Sequence, residues 1–149
     1  MPKQENIRFA KLVDDVYGLF LREYGFTYVK EEKYLVTARK DDIELIFSLE
    51  TTFLFYNLSL EIKLHGQLGE NATSIKRYRH LGILTIAKCL DSNFRGRIKK
   101  AQTERELKEI LLLDKDVLLN CCVEFLLGNV SSWGEIVDCL EMRRKLSES

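Results

Sequence analysis

Between Ile43 and Leu64 the chain alternates. Ile43, Leu45, Phe47 and Leu49 are separated by mostly polar neighbours, and Leu54, Tyr56, Leu58, Leu60, Ile62 and Leu64 alternate again. A period of two places such side chains on one face of a pleated strand. Two long antiparallel strands are predicted here, joined near Thr51-Thr52. Matching like faces sets Leu49 opposite Leu54, Phe47 opposite Tyr56 and Leu45 opposite Leu58. The loop is then Glu50 to Phe53, because β-branched threonine tolerates the positive φ of a two-residue turn poorly. Upstream, Tyr34, Val36 and Ala38 extend the same face. Asp41-Asp42 supplies a turn, and Arg39 falls beside Glu44 on the opposite face. Tyr28 to Lys30 reads as a short edge strand.

Helical spacing brackets this meander. Phe9, Leu12, Val13, Val16, Phe20 and Tyr24 form one stripe from about Asn6 to Tyr24, with Gly25 as a left-handed cap and Phe26 packing back on the last turn. After a loop at His65 to Asn71, Ile75, Tyr78, Gly82, Ile86 and Cys89 predict a second helix over 74–90, with Gly82 in its middle. Asp91 to Gly96 breaks the pattern. Thr103 followed by Glu106 has the form of a capping box and opens a helix through Leu107, Ile110, Leu111 and Leu113. Asp114-Lys115-Asp116 is an expected interruption, with a restart through Val117, Leu118, Cys121, Cys122, Phe125 and Leu126. Gly128-Asn129 closes that unit. A last helix starts near Ser131 or Ser132 with Trp133, Ile136, Val137 and Leu140 on one stripe, and Glu141 to Ser149 is expected to fray. The fold class is α+β: an N-terminal helix, a three- to four-stranded antiparallel meander, then a C-terminal half of three or four helices.

The second face of the predicted sheet is not uniformly polar. It collects Leu35, Ile46 and Phe55, with Phe53 at the turn. Partial cover by a helix or a strand bulge would account for them. So would an interface with a partner or a second copy of the chain.

Composition sets outer bounds. Hydrophobic residues make up 46% and charged residues 31% of 149, the proportions of a globular domain able to bury a core. With Pro2 as the single proline and no Gly/Ser-rich linker, one domain over 1–149 is expected. No apolar run approaches the roughly 20 residues that cross a bilayer. The segment MPKQENIRF lacks the layout of a secretory signal, so a cytoplasmic protein with no membrane partner is expected. The four cysteines (Cys89, Cys121, Cys122 and Cys139) form no CxxC and read as free thiols. His65 and His80 have no ligand-like spacing to each other or to the cysteines, so neither a metal nor any other cofactor is expected.

No nucleophile elbow, phosphate loop, dinucleotide fingerprint or zinc-protease motif occurs. Catalytic residues are therefore not nominated, and an enzyme ranks third among the readings. Charge layout says more. Net charge is zero, yet Lys76, Arg77, Arg79, Lys88, Arg95, Arg97, Lys99 and Lys100 stand against Asp91 alone over 76–100, whereas 104–141 is dominated by Glu and Asp. The two segments either neutralise each other across neighbouring helices or leave a basic surface of Arg77, His80, Arg95, Arg97, Lys99 and Lys100. That surface would hold an acidic protein or nucleic-acid phosphates. Nucleic acid ranks below protein because the overall balance is neutral and no recognition helix frames the basic run.

A helix ending Glu23-Tyr24-Gly25-Phe26 and followed by a strand meander resembles small bacterial accessory proteins. Some of those are immunity proteins, which bind and block a toxin. The likeness spans roughly residues 6–64 and assigns no functional residue; the neutral balance departs from the acidic one many immunity proteins carry. The expectation is a small non-catalytic intracellular binding or regulatory protein whose partner is another protein, or a second copy in a homodimer. It would use the basic segment or the apolar face of Leu35, Ile46, Phe53 and Phe55.

Overall fold

The first stripe forms helix α1 (Phe9–Glu23), in a computed structural model that describes residues 7–91, 93–94 and 100–148. Gly25 takes φ 83°, and the Phe26 N–H donates to the Leu21 carbonyl at 2.8 Å, which turns the chain and buries Phe26 against the helix it has left. A side chain at that φ would be strained, so glycine is required. Four strands then run as an antiparallel meander: β1 (Thr27–Glu31), β2 (Leu35–Lys40), β3 (Ile43–Thr51) and β4 (Tyr56–Leu64). Two short strands, β5 (His80–Gly82) and β6 (Lys100–Ala101), both pair with β4 and extend the sheet to six strands.

The alternation reads out as expected. Ile43, Leu45, Phe47 and Leu49 on β3 are buried, as are Tyr56, Leu58, Leu60, Ile62 and Leu64 on β4. Val36 faces Phe47, Ala38 faces Leu45 and Arg39 faces Glu44, with Asp41 at φ 50° in the turn. The β3–β4 register differs from expectation. Leu49 pairs with Leu58, Phe47 with Leu60 and Leu45 with Ile62, so the loop is Thr52 to Phe55 rather than Glu50 to Phe53. The Thr52 N–H and hydroxyl both donate to the Phe55 carbonyl at 2.9 Å, closing the turn later than the hydrophobic pattern implies. Leu54, expected in the core, is left exposed.

The segment 65–82 departs most. His65 to Asn71 is not a loop but the start of helix α2 (Gly66–Ala72), and the expected helix 74–90 is three pieces. Lys76–Arg79 is a 3-10 turn, His80–Gly82 is β5, and only Ile83–Leu90 is helix α3. Gly82 lies not in mid-helix but at the strand-to-helix junction, where its poor helix propensity does no harm. The edge of β4 offers hydrogen-bonding groups at Glu61 to Lys63, and residues 80–82 take them.

Helix α4 (Glu104–Cys121) is capped as read, the Thr103 hydroxyl accepting from the Glu106 N–H at 3.1 Å. It runs unbroken through Asp114–Asp116, against the expected interruption. Asp114 is fully buried on the same stripe as Leu107, Ile110, Leu111, Val117 and Leu118, and the Lys115 ammonium donates to the Val16 carbonyl of α1 at 3.2 Å. A short α5 (Val123–Leu126) follows, then α6 (Trp133–Glu148), which stays helical where fraying was expected. The Trp133 indole N–H donates to the Tyr78 carbonyl at 2.8 Å, anchoring the start of α6 on the 3-10 turn.

The helices contact the sheet through its inner face. The Tyr17 ring meets Phe47 edge-on at 4.7 Å, and the Tyr17 hydroxyl donates to the Leu111 carbonyl, so one side chain ties α1 to both β3 and α4. Inner-face residues of the sheet and the buried stripes of α1, α3, α4 and α6 form one core cluster. No helix among the described residues is long and apolar enough to cross a membrane.

Two buried polar atoms generate tests. Thr37 on β2 is only 4% exposed, and its hydroxyl has no hydrogen-bond partner among the described residues. Thr37→Val should raise stability by about 1 kcal/mol in urea unfolding; an unchanged or lowered midpoint would show that the hydroxyl is satisfied. Burial, reinforced by the neighbouring Cys121, pushes the Cys122 thiol up from 9.0 to about 12. The unfolded chain therefore loses that proton first as pH rises. Cys122 stabilises fully below pH 9, and its contribution falls by about 1.4 kcal/mol per pH unit above that until the folded thiol also ionises. Cys122→Ala should flatten this alkaline slope in pH-dependent unfolding; an equal slope in both proteins would refute the assignment.

Candidate interaction face

The register places every second residue of the meander on the outer face in ordered rows. Across the middle run Thr37, Ile46, Glu61 and Gly82; toward the hairpin tip lie Leu35, Ser48 and Ser59. At the opposite end stand Arg39, Glu44, Lys63 and His80. The face is thus graded along the strands, apolar and hydroxyl-bearing near the tip and charged at the far end. Leu35, Ile46 and Phe55 are half-buried. The helical cover expected for them is not what the described residues show, since α1, α3 and α4 pack on the inner side. The bulge that does occur lies in β1, between Tyr28 and Lys30.

Beyond the last ladder pair, Thr51 with Tyr56, the tip projects. Phe53 is 68% and Leu54 54% exposed. Beside them the Lys100 ammonium sits 4.4 Å from the centre of the Phe55 ring, a cation–π contact that covers one side of the aromatic group. Lys100 reaches it because β6 pairs with the start of β4 at Tyr56 and Asn57. A member of the expected basic surface and a member of the expected apolar surface are therefore neighbours.

His80 joins the same face from β5, opposite Lys63, and its Nε2 lies 3.1 Å from Glu61 Oε2. His65, immediately after β4, places Nε2 2.8 Å from Glu44 Oε1. Both histidines of the chain thus contact glutamates projecting from one sheet face. The sequence reading missed these pairs. The alternation places Glu44 and Glu61 on the outer face, but the strand carrying His80 lay within an expected helix. A dyad of imidazole and carboxylate has the parts of a general base. Among the described residues, however, no group of three or more His, Cys, Asp or Glu side chains is placed to hold a metal ion. Two cavities beside α1, of about 310 and 280 Å³, are lined by residues of α1 and β1 and by neighbouring segments.

The remaining basic candidates separate. Arg77 lies off this face, with Nη2 3.3 Å from Glu141 Oε1 on α6. Arg144 donates to the same carboxylate, and these guanidinium contacts hold the half-buried Glu141 below the ordinary carboxylate range against an opposing desolvation. Arg79 donates through Nε and Nη2 to the Thr73 carbonyl. Arg95, Arg97 and Lys99 lie outside the described residues.

The Glu61–His80 contact is partly exposed and the Glu44–His65 contact partly buried, and small couplings are expected of both. Double-mutant cycles on Glu44→Gln with His65→Ala, and on Glu61→Gln with His80→Ala, should each give about 0.2–1 kcal/mol by chemical unfolding at low salt. A coupling above about 2 kcal/mol would mean the pairs form a buried network instead. Comparison with family models, with curated proteins and with solved structures found no match for the chain.

Proposed function

We propose that this chain is a small non-catalytic binding protein that engages another protein through the tip half of its outer sheet face. Exposure of the adjacent Phe53 and Leu54 carries the reading. A hairpin tip that presents two large apolar side chains, backed by Phe55, Leu35 and Ile46, costs solubility unless something covers it. Around it, Lys100, Glu50, Asn57 and the two serines supply the polar rim that non-obligate interfaces carry. The partner's complementary surface is an apolar pocket for Phe53 with acceptors near Lys100. An immunity-type role, in which that partner is a toxin, is one form of this reading.

Nucleic-acid binding through 76–100 draws less support from the fold. Arg77 is engaged by Glu141, Arg79 by a backbone carbonyl, and Lys100 by an aromatic ring. The basic members that lie within the described residues are largely committed inside the chain.

Co-expression with the products of neighbouring genes, followed by sedimentation velocity, tests the proposal. Phe53→Asp and Phe55→Asp should each weaken a complex, or a homodimer, at least about 30-fold while the circular-dichroism spectrum and Tm of the isolated chain hold. A complex that survives both substitutions would overturn it. So would tight duplex binding that falls steeply with salt and is indifferent to the tip, which would point to the basic segment.

A further inference from the structure

A cleft between α1 and the start of β1 gathers charges of both signs around apolar walls. Its volume is about 280 Å³. From α1 come Asp14, Gly18, Leu21 and Arg22, which helical spacing puts on one face, and Phe26 and Tyr28 line it after the turn. Leu21 and Phe26 are buried, whereas Asp14 and Arg22 are exposed. Tyr28 pairs with Ala38 on β2, so it shares the inner side of the sheet with α1. The interaction face and its tip use none of these groups.

Asp14 is held in place from two sides. The Tyr28 hydroxyl donates to Asp14 Oδ1 at 2.7 Å. Burial and that hydrogen bond raise the Tyr28 phenol above its ordinary value, so it stays protonated and keeps donating at physiological pH. Gly18 makes the placement possible. A Cβ there would stand 2.6 Å from Asp14 Oδ1, and the three nearest atoms it would meet all belong to this carboxyl group. Glycine inside a helix weakens it relative to alanine. At position 18 the missing methyl group is the space the carboxylate occupies. A carboxylate that accepts one hydrogen bond keeps lone pairs for another donor. Arg22, one turn further on, forms no ion pair among the described residues and presents a planar fork suited to a second carboxylate.

We propose that this cleft binds a free dipeptide, with its ammonium group on Asp14, its carboxylate on Arg22 and an apolar side chain against Leu21 and Phe26. Length selects this ligand. Asp14 and Arg22 are two turns apart, about 12 Å along the helix axis. The Asp14 carboxylate folds onto the turn of Gly18, and helical side chains such as Arg22 lean toward the N-terminus, so the gap between the charges is shorter. A dipeptide spans about 7 Å. In a free amino acid both charges sit on one carbon atom and cannot reach the two ends. A cleft of this volume lies at the small end of ligand sites, which disfavours longer chains.

Titration of the full chain with glycyl-leucine at low salt, followed by amide NMR, provides the test. The expected Kd is about 1 mM or tighter, with shifts confined to α1 and residues 25–28. N-acetylglycyl-leucine, glycyl-leucinamide and leucine should each bind at least about 10-fold more weakly. Asp14→Asn should erase the preference for a free amine and keep that for a free carboxylate; Arg22→Gln should do the reverse. Gly18→Ala should push the Asp14 carboxylate aside and weaken binding at least about 10-fold while Tm holds or rises. If Gly18→Ala does not fold, the two exposed substitutions decide. No shift at about 10 mM glycyl-leucine, equal binding of any of the three control ligands, or preferences that survive both substitutions would overturn the proposal.

Discussion

Keeping one side of the β3–β4 hairpin dry is the constraint on which the rest of this molecule depends. Nine residue pairs join the two strands, and the side chains on their inner face are almost wholly removed from water. Because successive side chains point to opposite sides, a slip of one residue on either strand would turn the whole apolar set outward. The helices follow from this. Helix α1 lays its stripe across the inner face, and Tyr17 meets Phe47 with its ring while reaching α4 with its hydroxyl. Helix α4 in turn carries a fully buried Asp114 within its own stripe.

The same constraint explains what the sequence could and could not disclose. Parity decides the face, so Ile43, Phe47, Leu58 and Ile62 were legible as core from their spacing alone. Parity does not decide how far the strands slide. Pairing Leu49 with Leu54 and pairing it with Leu58 both keep the apolar faces together, and the choice falls to Thr52 and Phe55 at the turn. Helix α2 was invisible for a different reason. Its first turn is bound by Asp42, whose carboxylate accepts from the Leu68 N–H at 3.4 Å and whose carbonyl accepts from the His65 N–H at 2.7 Å. That partner sits in the β2–β3 turn, and a local pattern holds no trace of it. Gly69 completes the arrangement, since a Cβ there would stand 2.9 Å from the Leu64 carbonyl oxygen. Likewise residues 80–82 have helical spacing but take strand geometry because β4 offers a free edge.

Charge behaves in the opposite way, being conspicuous in the sequence and largely dispersed in space. The basic and acidic segments meet where Arg77 reaches Glu141, so part of the apparent segregation is a feature of chain order only. Lys100 is drawn onto an aromatic ring and Arg79 onto a carbonyl. Meanwhile the histidines, which no spacing connected, come to one sheet face because their carboxylate partners project from adjacent strands. Alternation along a strand survives folding because it is local, whereas charge runs are rearranged by whichever element the chain brings beside them.

For the proposed binding role, the faces of the sheet are favoured over its edges. Strand β1 ends the strand order among the described residues, but a bulge between Tyr28 and Lys30 interrupts its ladder, and Lys30 and Glu31 charge its exposed side. Such features discourage strand addition. The inner face is filled by helices, which leaves the outer face and its tip.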